Sequence, residues 1–277
     1  MIQLNSLSKT YGTIRAVHKI SLSIARGEVF GLLGPNGAGK TTTIKMLTLI
    51  AQPTSGSASI DGLSIAADRQ EIKRRISVVP QENNLDRELT AYENLQIYSM
   101  LHGLSDYRQK IQECLHLVDL WDRRDSLINK FSGGMQRRLL IARALLTNPT
   151  VLFLDEPSIG LDPQIRRQMW EVIRKTRIDG RTVVLTTHYI EEAEALCDRV
   201  GIMAKGSLIA LDTPANLLAT VGEYAVEHVN GEGKLMQQIC RNLDEARAAA
   251  QGRECCVTIR KSNLEDVFIK ITGDRIE

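Results

Sequence analysis

The chain has 277 residues, enough to bury a substantial core in one large domain or two smaller ones. Lys plus Arg number 35 against 33 Asp plus Glu, and this net charge of +2, spread in both signs along the chain, argues against an obligate nucleic-acid binder. The opening MIQLNSLSKTYG lacks a basic segment followed by an apolar one, and no window approaches about 18 uninterrupted apolar residues; no signal peptide or spanning helix is expected, and the chain reads as cytoplasmic.

Polar and apolar residues alternate at Ile2 and Leu4, at Ile20, Leu22 and Ile24, and at Val29, which predicts short antiparallel strands broken at Tyr11-Gly12 and Arg26-Gly27. Residues 29–33 form an apolar run that reads as a buried strand, and residues 43–50 read as a helix ending before Pro53. Between them lies GPNGAGKTT. Gly34, four residues, then Gly39, Lys40 and Thr41 fit the Walker A phosphate-binding pattern in the strand-to-helix context it requires. Its glycines, Gly37 among them, let backbone N–H groups turn inward on a phosphate, and the helix beginning near Lys40 aims its positive end there. Lys40 then reaches the β- and γ-phosphates, and the Thr41 hydroxyl can ligate Mg²⁺. Gly34, Pro35, Asn36, Gly37, Ala38, Gly39, Lys40, Thr41 and Thr42 are therefore expected to bind a nucleoside triphosphate.

Residues 57–62 read as a strand and turn, residues 68–75 as a charged helix, and residues 76–79 as a strand stopping at Pro80-Gln81. Residues 86–130 are helical in character. Thr90 and Glu93 form a capping box whose helix runs toward Gly103, and a second helix from near Ser105 carries Ile111, Cys114, Leu115 and Val118 on one face. Phe131-Ser132-Gly133-Gly134 opens a third helix over residues 135–147, with Ser132 as N-cap of a helix start suited to an anion. The whole reads as an all-helical insert over about residues 86–148.

Residues 151–154 are a buried strand ending in Asp155-Glu156-Pro157, a helix follows over about 163–177, and the strand at 182–186 ends at Thr187-His188. This alternation predicts an α/β fold: a P-loop core with a mostly parallel sheet, preceded by an antiparallel β subdomain. Gly34, Gln81, Asp155 and His188 all fall at strand carboxyl ends, where such sheets collect functional groups. Asp155, at the end of a four-residue apolar run, can hold Mg²⁺ through its water shell, and Glu156 is placed to orient and deprotonate a water. Beyond residue 218, residues 224–229 read as a strand, 235–250 as an Ala-rich helix, 256–259 as a strand and 264–272 as an amphipathic helix. These form a small α+β accessory unit over 219–277, after an ATPase domain over 1–218. The paired basics Arg123 and Arg124, Arg137 and Arg138, and Arg166 and Arg167 read as solvated helix faces. The five cysteines, Cys114, Cys197, Cys240, Cys255 and Cys256, show no CxxC spacing and point to free thiols in a reducing compartment.

GPNGAGKTT, VPQ, FSGG, VLFLDEP, GLD and a strand-end His occur in one order that resembles the ATP-binding cassette (ABC) ATPases over roughly residues 1–215. LEDVFIKITG resembles the end of the ATPase subunits of type-2 exporters, the daunorubicin-resistance class. The resemblance implies ATP and Mg²⁺ as cofactors, with Asp155 as the Walker B aspartate, Glu156 as the catalytic glutamate and His188 as the switch histidine on the γ-phosphate. It implies that Gln81 reaches the Mg²⁺ and the attacking water, and that Tyr11 stacks on adenine. Ser132, Gly133 and Gly134 would bind the γ-phosphate held by the other subunit of a head-to-tail homodimer, and Asp162 would meet the partner's phosphate loop. Phe131 and Met135 stand where the common signature has Leu and Gln.

The implied function is the ATPase subunit of an exporter, peripheral at the cytoplasmic face of the inner membrane through a separate transmembrane permease. That permease would dock near Gln81 and residues 82–100, and the motor would not touch the transported substrate. A mechanical ABC ATPase acting on DNA or ribosomes is the rival from another class. Lys40 and Ser132 lie only 92 positions apart with no sustained heptads, and only one cassette is present, both against it. A weakly hydrolysing ATP-binding regulator is a third reading, opposed by the presence together of Lys40, Asp155, Glu156 and His188. An importer ATPase is the nearest alternative, and LEDVF speaks against it.

Overall fold

A computed structural model describes residues 1–177, 180–230, 233–251 and 257–273. Its first sheet joins β1 (Ile2–Tyr11), β2 (Ile14–Ile24), β4 (Ser55–Ile60) and β5 (Leu63–Ser64) in the order β2-β1-β4-β5, antiparallel throughout. The strand period of two sends Ile2, Leu4, Ile20, Leu22 and Ile24 inward. β1 and β2 are longer than their broken alternation suggests, because register shifts after Leu4 and Leu7 absorb the irregular residues and keep the ribbon paired.

The second sheet contains β3 (Val29–Leu33), β6 (Ile76–Val79), β7 (Val151–Asp155), β8 (Thr182–Thr187), β9 (Arg199–Ala204) and β10 (Ser207–Asp212), in the order β10-β9-β3-β8-β7-β6. All its pairs are parallel except the β9–β10 hairpin. β3, β7 and β8 are buried along their full length, as strands covered on both faces must be. Alternate residues feed two cores. Val151 and Phe153 join Phe30, Leu32, Ile44 and Met46 beneath the antiparallel sheet, while Leu152 and Leu154 join Leu33, Val79 and Leu185 on the other side. The helices α1 (Lys40–Leu47), α2 (Arg69–Arg75), α6 (Pro163–Arg177), α7 (Ile190–Leu196) and α8 (Pro214–Ala219) connect or flank these strands. β9, β10, α7 and α8 answer to no element read from the sequence.

The insert holds α3 (Ala91–Leu101), α4 (Tyr107–Leu117) and α5 (Gly133–Leu145). The capping box is present: the Thr90 hydroxyl accepts from the Glu93 N–H at 3.2 Å, and Glu93 Oε2 accepts from the Thr90 N–H at 2.8 Å. Leu95, Ile111, Leu115 and Leu139 share one core with Leu152 and Leu154, so the insert is welded to the sheet.

The C-terminal sheet, β11 (Tyr224–Val229), β12 (Leu235–Cys240) and β13 (Val257–Lys261), has the order β12-β11-β13. The helix expected over residues 235–250 is only its second half, α9 (Leu243–Ala250), capped by the Asn242 side chain accepting from the Glu245 N–H at 2.9 Å. Residues 235–240 are strand instead, pairing antiparallel with Tyr224–Val229 from Leu235 opposite Val229 to Cys240 opposite Tyr224. Pairing across the hairpin outweighs a weak local preference in LMQQIC. Cys255 and Cys256 lie outside the described residues; Cys114 and Cys197 are buried free thiols, and Cys240 is buried as well.

The final helix, α10 (Leu264–Thr272), buries Leu264, Val267 and Phe268 in the core that contains Leu217 and Leu196. Glu194 Oε1 accepts from the Leu264 N–H at 2.8 Å, and Lys270 Nζ donates to the Thr220 carbonyl at 2.6 Å. Asp266 caps the helix at the Asn263 N–H and takes two bonds from Arg260, which also holds Glu227. Hydrogen bonds from Arg260 hold the Asp266 carboxyl below its ordinary range against the opposing pull of burial. The LEDVF stretch is thus a latch between the small sheet and α7 and α8. Phe268→Ala is expected to cost about 3–5 kcal/mol of stability, read as a lower urea midpoint. Ile271→Ala, at a 46 % exposed position, should change it by less than about 0.5 kcal/mol.

Candidate nucleotide site

The parallel register sets Leu33 beside Thr187, Thr186 beside Asp155, and Leu154 beside Val79, so four strand ends stand level. The loop after β3 wraps from there into α1. Two of its glycines are demanded by close approach. A Cβ at Gly34 would stand 2.3 Å from the Met203 carbonyl oxygen, and one at Gly39, where φ is +99°, would stand 2.5 Å from that of Ala16. Lys40 Nζ curls back into the loop, donating to the Gly34 carbonyl at 2.7 Å and the Pro35 carbonyl at 3.1 Å.

The acids at the end of β7 meet this loop. Thr41 Oγ1 donates to Asp155 Oδ1 at 3.0 Å, and Thr186 Oγ1 donates to the same oxygen at 2.6 Å. These are hard oxygen donors side by side, the set that suits Mg²⁺. Glu156 is buried and adopts φ +50°. Its Oε1 pairs with Lys40 Nζ at 3.2 Å and its Oε2 lies 2.7 Å from His188 Nδ1. Its N–H donates to the Thr186 carbonyl and hydroxyl at 3.2 and 3.0 Å.

A cavity of about 490 Å³ opens beside these groups, and it is lined by Asn36, Gly37, Ala38, Gly39, Lys40, Thr41, Thr42, Gln81 and Glu156. Asp155 and His188 are joined to it through Thr41 and Glu156, and Gly34 and Pro35 through Lys40. The five remaining positions lie elsewhere. Ser132 caps α5 by accepting from the Met135 N–H at 3.3 Å, with Gly133 and Gly134 in that first turn. Asp162 accepts from the Ile165 N–H at 3.0 Å at the start of α6. Tyr11 is 47 % exposed at the β1–β2 turn, with the Lys9 ammonium 4.8 Å from its ring centroid. Neither it nor the α5 and α6 turns line the cavity.

Several lining residues carried no signal in the sequence. Ile14, Arg15 and Ala16 come from β2, and Lys205 and Gly206 from the β9–β10 turn. Gly206 ties the two together, accepting from the His18 N–H at 2.7 Å and donating to the Ala38 carbonyl at 3.1 Å. A Lys-Gly pair between two alternating runs was the available clue. Arg137 corrects an expectation outright: it is no solvated helix residue but is 7 % exposed. Its Nε donates to the Pro157 carbonyl at 3.0 Å, its Nη2 to those of Asp155 at 2.6 Å and Glu156 at 3.0 Å, and its Nη1 to those of Gln81 at 3.3 Å and Pro80. Burial pushes its pKa down to about 10, with the nearby charges of Asp155, Glu192 and Glu156 opposing the fall, so it stays cationic at neutral pH. Glu192 itself is fully buried, accepts from Ser158 and from Trp170 Nε1 at 3.2 Å, and has its pKa raised by that burial.

A phosphate-binding loop closed by a lysine, with paired acids and a histidine at neighbouring parallel strand ends, defines a P-loop nucleoside triphosphatase. The family model described as "ABC transporter" matches residues 17–159. The "Nod factor export ATP-binding protein I" of Burkholderia orbicola (strain AU 1054) is 37 % identical, covering 100 % of this chain and 98 % of that protein. Its counterpart in Mesorhizobium japonicum (strain LMG 29417 / CECT 9101 / MAFF 303099) is 36 % identical over 100 % of this chain and 88 % of its own length. Among solved structures, the dimeric ATP-binding cassette MJ0796 in a post-hydrolysis state with ADP and Pi superposes with a TM-score of 0.69 at 30 % identity, over 77 % of this chain and 98 % of that one. The cbiO1 subunit from Clostridium perfringens, part of the complex cbiONQ, gives 0.73 at 28 % identity, over 79 % and 90 %. The chain belongs to the ABC transporter family and is the ATP-binding, ATP-hydrolysing subunit of such a transporter. Gly39→Ala should lower the melting temperature and weaken ATP binding at least tenfold in a fluorescent-nucleotide titration. Gly37→Ala, whose Cβ meets nothing within 4 Å, costs only its left-handed φ, about 1 kcal/mol.

Proposed function

We propose that this chain drives an exporter by hydrolysing Mg²⁺-bound ATP at the β3–β7–β8 strand ends, as one half of a homodimer docked on a separate membrane permease. The observation that carries it is the seat of Glu156, held between Lys40 and His188 at the mouth of the loop cavity. The Thr41 hydroxyl and Asp155 carboxylate would hold Mg²⁺, which when bound neutralises charge on the phosphate oxygens. Lys40 binds the β- and γ-phosphates, so incoming phosphate takes the ammonium that now pairs with Glu156. The freed carboxylate oxygen then accepts the proton of the attacking water, while His188 keeps the other oxygen in place and reaches the γ-phosphate. Gln81, on the cavity wall, orients that water and senses the permease.

Tyr11 serves as the adenine platform beside Ile14 and Arg15. Ser132, Gly133 and Gly134, whose own chain leaves them outside its cavity, receive the partner's γ-phosphate, and Asp162 meets the partner's loop. A family relative of known structure is a dimer, and another belongs to a multi-subunit complex. The curated relatives are named for export. No helix among the described residues is long and apolar enough to cross a membrane, which supports a partner that does, holding the chain peripherally at the cytoplasmic face. Ile97, Met100 and Leu101, spaced to share one face of α3 and 45, 62 and 80 % exposed, offer that partner an apolar contact.

Glu156→Gln preserves shape but removes the proton acceptor. Steady-state phosphate release is expected to fall by about 10²-fold or more while ATP affinity holds; unchanged turnover would contradict the assignment of Glu156.

A further inference from the structure

Arg137 has five guanidinium N–H bonds, and five main-chain carbonyls converge on its three nitrogens. Two of those carbonyls, of Pro80 and Gln81, belong to the turn after β6. The other three, of Asp155, Glu156 and Pro157, belong to the last residue of β7 and the turn after it. Among the described residues no carboxylate is bonded to it, so the guanidinium is not an ion-pair residue in the ordinary sense. It is a charged clamp whose donors are taken up by two backbone turns that the parallel register sets side by side.

The turn it holds is a strained one. Glu156 sits at φ +50°, a conformation that a residue with a Cβ keeps only where its surroundings over-determine it. Thr186 fixes the N–H of Glu156 and Arg137 fixes its carbonyl. Arg137 itself rides on α5, one helical turn after the Ser132-Gly133-Gly134 start.

We propose that Arg137 is a positioning residue for hydrolysis, joining the helix that carries the signature turn to the Gln81 loop and to the backbone seat of Glu156 in one chain. A displacement of α5 when its N-terminus is engaged is transmitted to both the water-orienting loop and the general base, without passing through the nucleotide. Lysine cannot replace it, because one ammonium with three donors spans neither both turns nor the planar fork. The inference rests on the assignment of Glu156 as the general base.

The test uses the full chain carrying Arg137→Ala or Arg137→Lys, with Glu156→Gln as reference, and measures kcat, KM, nucleotide affinity and melting temperature. For Arg137→Ala, kcat is expected to fall about 10²-fold with ATP affinity unchanged within about threefold. Arg137→Lys should lose about tenfold in kcat at unchanged KM, and it carries the same test if the alanine variant does not fold. Guanidinium ion at non-denaturing millimolar concentration should restore part of the Arg137→Ala rate and none of the Glu156→Gln rate. Wild-type turnover in both variants overturns the inference. So does a loss in which kcat and ATP affinity fall together and guanidinium restores nothing, the signature of a merely structural residue. Unimpaired turnover of Glu156→Gln would instead remove the general-base assignment beneath it, whatever Arg137 does.

Discussion

The buried ion pair between Lys40 and Glu156 sets the terms for the rest of the chain. Two charges with side chains 5 and 4 % exposed persist only if each is further satisfied, since a buried charge left with one weak partner costs several kcal/mol. Lys40 finds the Gly34 and Pro35 carbonyls, and Glu156 finds His188. Gly34 and Pro35 follow β3, Glu156 follows β7 and His188 follows β8, so the pair exists only where β3, β7 and β8 are adjacent, parallel and in register. The order of the central sheet is the condition for the chemistry.

Around that pair the polar groups form a continuous set rather than separate contacts. Asp155 links Thr41 on α1 to Thr186 on β8, and the Thr186 hydroxyl also receives the Glu156 N–H. Arg137 carries the set across to α5 and to the turn after β6. Glu192, whose charge acts on Arg137, gathers Ser158 and Trp170 beside it. Packing supplies the rigidity: the core that holds β7 and β8 extends without a break into α3, α4 and α5 and, at the other end, to Leu264, Val267 and Phe268. A load applied to the exposed apolar face of α3 thus meets a body that connects with both the site and the C-terminal latch.

How much of this the sequence disclosed follows from how local each feature is. The phosphate loop, the Thr90-Glu93 capping box and the β7 acids depend on neighbours within a few residues, and all were legible. β12 was not, because LMQQIC becomes a strand only through its pairing with Tyr224–Val229. Arg137 resembled any basic residue of an amphipathic helix, and its burial depends on carbonyls contributed 57 and 20 positions away. The Lys205-Gly206 wall of the cavity rests likewise on contacts with Ala16, His18 and Ala38. Tyr11, Ser132, Gly133, Gly134 and Asp162 were singled out by family resemblance, since the partners proposed for them are a base and a second subunit rather than anything in this chain.

The proposed work of this ATPase is done on a separate membrane protein. The most direct measurement is to express the tagged Glu156→Gln chain in its native cells, extract the membranes with mild detergent and identify what co-purifies, with and without Leu101→Asp. The expected result is a multi-spanning protein at one-to-one stoichiometry with the chain, lost when the α3 face carries the charge. A chain that stays out of the membrane fraction, or that comes down with ribosomes or DNA, would contradict it.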